Sequence, residues 1–254
     1  MINFSVFVFG AIVGSFLNVI ILRLNTGKSI VSGRSKCFTC AKKLKWHELL
    51  PIASFVFLRG KCSACKAKIS WQYPAVETIT GIFFVLLFQQ SQKFFDFGFL
   101  ILIFSILIII AIYDYHHQII PNLFVWIFNG LAFLWLFNSF RISDFGFRIL
   151  NWNNLLAGFI LFVFFALLWG VSRGRWMGFG DAKLALGIGW LLGTAKGIAA
   201  VTLSFWIGAI VGVWLIYLNK NKYGLKSKVA FGPFMILGTA ISFFWGEKII
   251  SFLF

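Results

Sequence analysis

Apolar residues in this chain come in long unbroken runs. They show neither the alternation of a half-buried strand nor the single stripe of a soluble helix. Eight runs cover approximately 4–22, 76–91, 97–113, 122–139, 155–171, 182–195, 198–218 and 232–253. Most approach the roughly 20 residues that a helix needs to cross the hydrocarbon of a bilayer, although 76–91 and 182–195 are shorter. In lipid the backbone must satisfy its own hydrogen bonds, so only helices or closed barrels can span. Barrel strands alternate between lipid and lumen, and these runs do not. The pattern therefore predicts an all-α polytopic membrane protein with about eight transmembrane helices. The first run, Phe4 to Leu22, has no basic leader and no small-residue cleavage site, so it is expected to be a retained span. A polar segment separates it from the rest. The expected organisation is a first transmembrane helix over 1–22, a basic loop over 23–75 and a seven-helix membrane domain over 76–254.

Composition agrees with lipid as the solvent. Of 254 residues, 60% are hydrophobic and only 12% charged, against about 25% charged in a soluble domain. Mean hydropathy is +0.92. The net charge of +16 raises the question of nucleic acid. Basic residues also collect in the cytoplasmic loops of membrane proteins, and here the charge follows the loops. Eleven of the 23 Lys and Arg residues lie between Arg23 and Tyr73. That placement excludes nucleic acid as a partner, sets the 23–75 loop in the cytoplasm, and suits contact with anionic lipid heads.

With that loop inside, counting crossings puts Arg173, Arg175, Lys220, Lys222, Lys226 and Lys228 inside as well. The outer side then holds Lys93, Arg141, Arg148, Lys196 and Lys248, and Lys183 sits just within the sixth span. The same count brings Asp114 and Asp181 to one cytoplasmic boundary. Asp96, Asp144 and Glu247 fall on the opposite side. Glu48 belongs to the loop, and Glu77 to the inner mouth of the second span.

Ionisable groups at a membrane edge are functional suspects by default. Asp181 closes Gly178-Phe179-Gly180-Asp181 and precedes a helical run, so capping that helix is one reading. A cap does not need two glycines beside it, whereas close backbone approach to an extended substrate does. Asp114 ends a helix, where the dipole disfavours negative charge. Either His116 and His117 compensate it, or it is there for chemistry. Two carboxylates held close share a proton. The ionised one then activates water while the protonated one donates to a scissile carbonyl. A serine or cysteine triad is not evident, and with three histidines and no His-Glu-x-x-His the chain does not read as a zinc protease.

All four cysteines fall in two pairs, Cys37-Phe-Thr-Cys40 and Cys62-Ser-Ala-Cys65. The spacing predicts two knuckles presenting four thiolates to one structural zinc ion with no open position. Neighbouring Lys36, Lys42, Lys43, Lys61 and Lys66 favour thiolate. Reduced thiols or two disulfides are the alternatives, and a cytoplasmic loop opposes disulfides. His47 is a further candidate ligand.

Six segments, in order, resemble the bacterial type IV prepilin peptidases, or leader peptidase/N-methyltransferases, which belong with the glycine-x-glycine-aspartate aspartic proteases. These are Gly14-Ser15-Phe16-Leu17-Asn18-Val19 with Arg23-Leu24; the cysteine pairs; Ile69 through Glu77; Asp114 with Ile120-Pro121; Gly178 through Leu184; and Phe231-Gly232-Pro233-Phe234. The resemblance implies a cell (inner) membrane enzyme that cuts the leader of type IV prepilins or type II secretion pseudopilins at the cytoplasmic face. It further implies methylation of the new N-terminus, usually phenylalanine, from S-adenosylmethionine. Asp114 and Asp181 match the catalytic pair, and Gly14 and Glu77 match positions linked to methylation. Glu77 would bind the new ammonium, or else be an interfacial carboxylate facing Lys66 or Lys68. No Rossmann-type glycine fingerprint for the donor is present. His116 and Asn122 stand where the family often has acidic residues. The alternatives are a peptidase without methylation, which the intact loop opposes, and a scaffold or transporter with a zinc-ribbon loop.

Overall fold

A computed structural model describes residues 1–27, 29, 33–91, 93–138, 152–218 and 229–253. Of the charges counted above, Lys28, Arg141, Asp144, Arg148, Lys220, Lys222, Lys226 and Lys228 lie outside the described residues. The chain is all-helical, and no strand forms among the described residues. Among the described residues eight long helices occupy the eight expected runs: α1 (Ile2–Arg23), α3 (Gln72–Gln90), α4 (Phe94–His117), α5 (Asn122–Asn138), α6 (Trp152–Ser172), α7 (Phe179–Leu192), α8 (Thr194–Leu218) and α9 (Gly232–Leu253). A 3-10 turn (Trp46–Leu49) and a short α2 (Ala53–Phe57) lie in the basic loop.

Five of the eight, α1, α4, α6, α8 and α9, are long and apolar enough to cross a membrane. The other three do not reach that length and hydropathy, in keeping with the shorter runs at 76–91 and 182–195. Helix α5 is apolar but short. Helix α3 carries Glu77 and polar residues at both ends. Helix α7 has 14 residues, about 21 Å at 1.5 Å per residue. It starts earlier than the apolar run implies, because Gly178 takes an extended conformation as its N-cap, and it stops at Gly193, whose φ of 79° is left-handed.

Contacts divide the chain into two units, Met1–Ile109 and Ile110–Phe254. In the first, α1 packs along α3. Phe84 and Leu87 of α3 are fully buried, and Phe97 meets the rings of both Phe84 and Phe88 edge-on. In the second, α7 is central. It packs against α5, α6, α8 and α9, and Ala182, Leu184 and Ala185 are completely buried. Helices α6 and α8 leave large apolar side chains such as Leu167, Ile210 and Val213 exposed. Exposed apolar faces of this kind are what lipid contact requires.

Candidate active site and metal centre

The second unit assembles its site from two helix ends. Asp114 lies in the last turn of α4, with only 4% of its surface exposed. The main-chain N–H of Gly232, at the start of α9, donates to Asp114 Oδ2 at 3.0 Å. A Cβ on residue 232 would fall 2.6 Å from that same oxygen, so only glycine lets the amide approach. The rings of His117 and His116 lie against Tyr113 and Tyr115. Beyond α4, Gln118 turns the chain with a φ of 54° and donates its N–H to the Asp114 carbonyl.

Asp181 is in the first turn of α7 and 7% exposed. Its Oδ2 accepts the Gly178 N–H at 3.0 Å, so the carboxylate does serve the helix start, reaching back to the N-cap from three residues on. The charge of Asp114 acts on Asp181, so the two buried carboxyls are electrostatic neighbours. A Cβ at Gly180 would meet Ile120 at 2.9 Å. The missing side chain thus already lets α7 close on the α4–α5 connection. Gly178 is exposed, with an ordinary φ of −78°, and a Cβ there would touch Asp181 Oδ2 at 3.6 Å. Lys183 donates to Asn122 Oδ1 at 2.9 Å, with its ammonium over the rings of Phe179 and Trp126. This contact joins α7 to the first residue of α5.

The first unit carries the cysteines. All four Sγ atoms lie within 4.8 Å of one another, and Cys37 and Cys65 Sγ are 3.8 Å apart. Four thiolates at about 2.3 Å around one tetrahedral ion would be about 3.8 Å from each other. The donor set and its spacing therefore fit zinc. The two knuckles are structural copies offset along the chain. Cys37 N–H bonds the Lys42 carbonyl as Cys62 N–H bonds that of Ala67, and Ala41 N–H returns to Cys37 as Lys66 N–H does to Cys62. Ala41 and Lys66, each just after its pair, have φ of 55° and 59°. Lys36 bridges Lys43 as Lys61 bridges Lys68. The amides of Cys40 and Thr39 hold the Cys37 thiol down at about 6. Those of Cys65 and Ala64 lower the Cys62 thiol as well. Both effects favour the metal-binding thiolate.

Glu48 ties the knuckles together. It accepts the Lys45 N–H at 2.7 Å, the Lys42 ammonium at 2.9 Å and the Ser63 hydroxyl. Those partners, the Lys45 amide first, hold its carboxyl at about 2, below the ordinary 4.5. Because the folded value is depressed, the stabilisation is complete above about pH 5 and is lost as pH falls toward 2. Glu48→Gln is expected to speed limited proteolysis of the loop at neutral pH, and the difference from the parent protein should narrow on acidification. Equal rates at pH 7 would show that Glu48 is not holding the knuckles.

Glu77 is 6% exposed on α3. It accepts the Ile52 N–H at 2.7 Å, and the Ser15 side chain lies close enough to act on its carboxyl. Among the described residues no Lys, Arg or His forms an ion pair with it, and that includes Lys66 and Lys68. Ile52 sits at φ 60°, ψ −51°, and the Ala53 N–H donates back to the Pro51 carbonyl at 2.5 Å. This is a γ-turn of the rare positive-φ kind. For a β-branched residue such a conformation costs on the order of 1–3 kcal/mol. Gly14 of α1 lies directly on Glu77, and a Cβ there would meet the Glu77 Cα at 2.8 Å. With Gly10, which abuts the backbone of Gly81, it forms a small-x-x-x-small contact that brings α1 against α3. Gly14→Leu is expected to lower stability by about 1–3 kcal/mol through overpacking, seen as a reduced melting temperature of the solubilised protein. An unchanged melt would rule out the close contact.

The two aspartates, the four cysteines, Gly14, Glu77, Gly178 and Gly180 are site candidates in the sequence, and Gly232 appears there only within a family segment, with no role; Ile52 and the Glu48–Ser63 link do not appear. Gly232 had a signal, since Gly-Pro before an apolar run marks a helix start. Nothing in the order of residues identifies its partner.

Buried paired carboxyls in a polytopic helical chain, with a four-thiol loop ahead of them, define a class of membrane enzyme. The family comparisons agree. Residues 8–91 match the bacterial peptidase A24 N-terminal domain and 101–213 the type IV leader peptidase family. A prepilin leader peptidase/N-methyltransferase of Bacillus subtilis is 33% identical over 97% of this chain and 95% of its own length. One from Myxococcus xanthus is 31% identical over 89% of this chain and 67% of its own. One from Stutzerimonas stutzeri is 29% identical over 96% and 91%. No solved structure matches. The chain belongs to the type IV leader peptidase family.

Proposed function

We propose that this protein is a two-activity membrane enzyme. It cleaves the leader of type IV prepilins or type II secretion pseudopilins with Asp114 and Asp181, and it then N-methylates the residue exposed. The observation that carries the peptidase is that two carboxyls are buried, one in the last turn of α4 and one in the first turn of α7, with the charge of Asp114 felt at Asp181. The names of the relatives support both activities.

The chemistry follows from the fixing of each acid. Gly232 and Gly178 amides hold one oxygen of each carboxyl, which leaves the other oxygen of each to serve a water shared between them in the proposed reaction. One carboxylate takes a proton from that water. The other acid protonates the scissile carbonyl oxygen as hydroxide adds to the carbon. The tetrahedral intermediate then collapses, and the leaving nitrogen collects a proton from the dyad. Gly178, exposed and without a side chain, lets an extended substrate pass close to Asp181. Gly180 keeps α7 near enough to the end of α4 for the acids to meet.

The loop over 23–75 serves methylation. Zinc on Cys37, Cys40, Cys62 and Cys65 supplies order and no reactive position. S-adenosylmethionine supplies the methyl group. Glu77 and Gly14 belong to that activity, with Gly14 fixing where Glu77 stands. The distribution of Lys and Arg supports a cell (inner) membrane orientation with the loop and both aspartates at the cytoplasmic face. The test is a purified, reconstituted enzyme given a prepilin with its leader, read by intact mass. Loss of the leader followed by gain of one methyl is expected, and an uncut substrate with fully folded enzyme would overturn the reading.

A further inference from the structure

One residue of α7 is held by three residues of α5. Lys183 stands two positions after Asp181, and its ammonium donates to Asn122 Oδ1 at 2.9 Å. The same ammonium lies 6.0 Å from the ring centre of Trp126, within the range of a cation–π contact. The main-chain carbonyl of Lys183 accepts Asn129 Nδ2 at 3.1 Å. Asn122, Trp126 and Asn129 are spaced i, i+4 and i+7, so they form one stripe along α5, roughly 10 Å long at 1.5 Å per residue. All of these residues lie in the unit Ile110–Phe254.

Asn129 is the unexpected member. It is 2% exposed, and Val125 and Phe128 beside it are completely buried. Its Oδ1 has no hydrogen-bond partner among the described residues. An orphaned amide oxygen in an apolar interface is costly, and an aliphatic side chain of similar size would avoid that cost. The Lys183 carbonyl lies inside α7, where the helix ladder already supplies the N–H four residues on. The bond to Asn129 is therefore not needed to satisfy α7. What it adds is register, the best-attested use of a lone buried polar group. Gly187, one turn further along α7, makes room for it. A Cβ there would run into Asn129 Oδ1 and the Phe128 ring.

Register between these two helices bears directly on the acids. Only the 118–121 connection separates the end of α4, which carries Asp114, from the start of α5. Sliding α7 by one residue along α5 would move a side chain by about 1.5 Å and turn it by about 100°. A reacting group misplaced by about 1 Å can cost roughly a hundredfold in rate.

We propose that Asn122, Asn129 and Lys183 form a register clamp, three positioning residues that fix α7 on α5 so that Asp181 stands opposite Asp114. The inference rests on the dyad reading above and adds the device that aligns it. Each of the three acts through the placement of α7 and none through contact with the substrate.

The experiment uses full-length zinc-loaded protein in lipid nanodiscs and a prepilin with its leader, with kcat, KM and melting temperature measured separately. Asn129→Leu removes the carboxamide at nearly constant size. It is expected to melt no lower than the parent, to keep KM within about threefold and to lose at least about tenfold in kcat. A lower melt with parental kcat in the folded fraction would make Asn129 a purely structural residue and overturn the proposal. A raised KM at parental kcat would place it at the substrate and overturn the proposal as well. Lys183→Met and Asn122→Leu test the exposed end of the stripe. Each should lower kcat by about fivefold or more, and the double variant no further than the slower single one, since both remove the same bond. Asn122→Asp keeps an acceptor for the ammonium and should hold kcat within about threefold of the parent. If Asn129→Leu does not fold, this second set decides: additive losses, or a kcat for Asn122→Asp as low as that of Asn122→Leu, overturn the clamp. If the unaltered protein fails to cut the leader, the dyad reading fails and the clamp with it. If it cuts and the folded variants match its kcat, only the clamp fails.

Discussion

Asp114→Asn and Asp181→Asn are each expected to reduce leader removal by roughly a thousandfold or more, the scale on which a positioned acid or base acts. Each variant replaces a carboxyl by an amide of the same shape. The side-chain oxygen of the new amide can still accept the N–H of Gly232 in the first variant and that of Gly178 in the second, so the two contacts at 3.0 Å survive. Membrane insertion and the packing of α7 should therefore be preserved. The double variant is expected to be no worse than either single one, because acids that work as a unit are not additive. The check is a time course of cleavage on purified variants whose melting temperatures match the parent. Parental rates from either single variant would exclude the dyad.

Stripping the metal has the second large effect. Structural zinc sites contribute about 10–16 kcal/mol of apparent binding free energy, and that free energy is also folding free energy for the segment that holds them. The 23–75 loop has little core of its own. Among its described large apolar side chains, Phe38, Trp46, Phe57 and Trp71 are all largely exposed. Purified protein is expected to carry about one equivalent of zinc. Cys62→Ser, or thiol modification, should release it and open the loop to proteolysis while the long helices stay folded. Elemental analysis and limited proteolysis read both results. A metal-free protein with a protected loop would defeat the assignment. In such a protein donor binding and methylation would be expected to fail before cleavage does, since the aspartates belong to the other unit.

The features legible in advance share a physical cause: each breaks the local composition. Long apolar runs can only be lipid-facing or buried helices, so the eight helices were readable within a few residues. Asp114 and Asp181 stand out because a carboxyl among isoleucines and glycines needs a reason. The cysteine pairs have a spacing that few other structures use. The hidden features are set by backbone geometry or by distance. The Gly232 amide meets Asp114 across 118 residues of chain. Ile52 adopts a conformation that its branched side chain resists, so its own preferences argue against the turn that Glu77 stabilises. The doubled knuckle is disguised because its residues differ where its hydrogen bonds agree, Lys42 standing for Ala67 and Ala41 for Lys66. Helix α7 is apolar enough to be taken for a full span, yet from Ala182 to Leu192 its apolar residues are almost all packed against protein.

That last feature bears on the membrane itself. A 14-residue helix covers only about two thirds of a hydrocarbon layer roughly 30 Å deep. Because α5, α6, α8 and α9 pack around it, the depth that α7 leaves is bordered by protein and not by lipid tails. The aspartate on its first turn thus belongs to a short helix sheathed by its neighbours, and a polar space enclosed by protein is what would let a peptide bond brought there meet water without exposing that water to lipid.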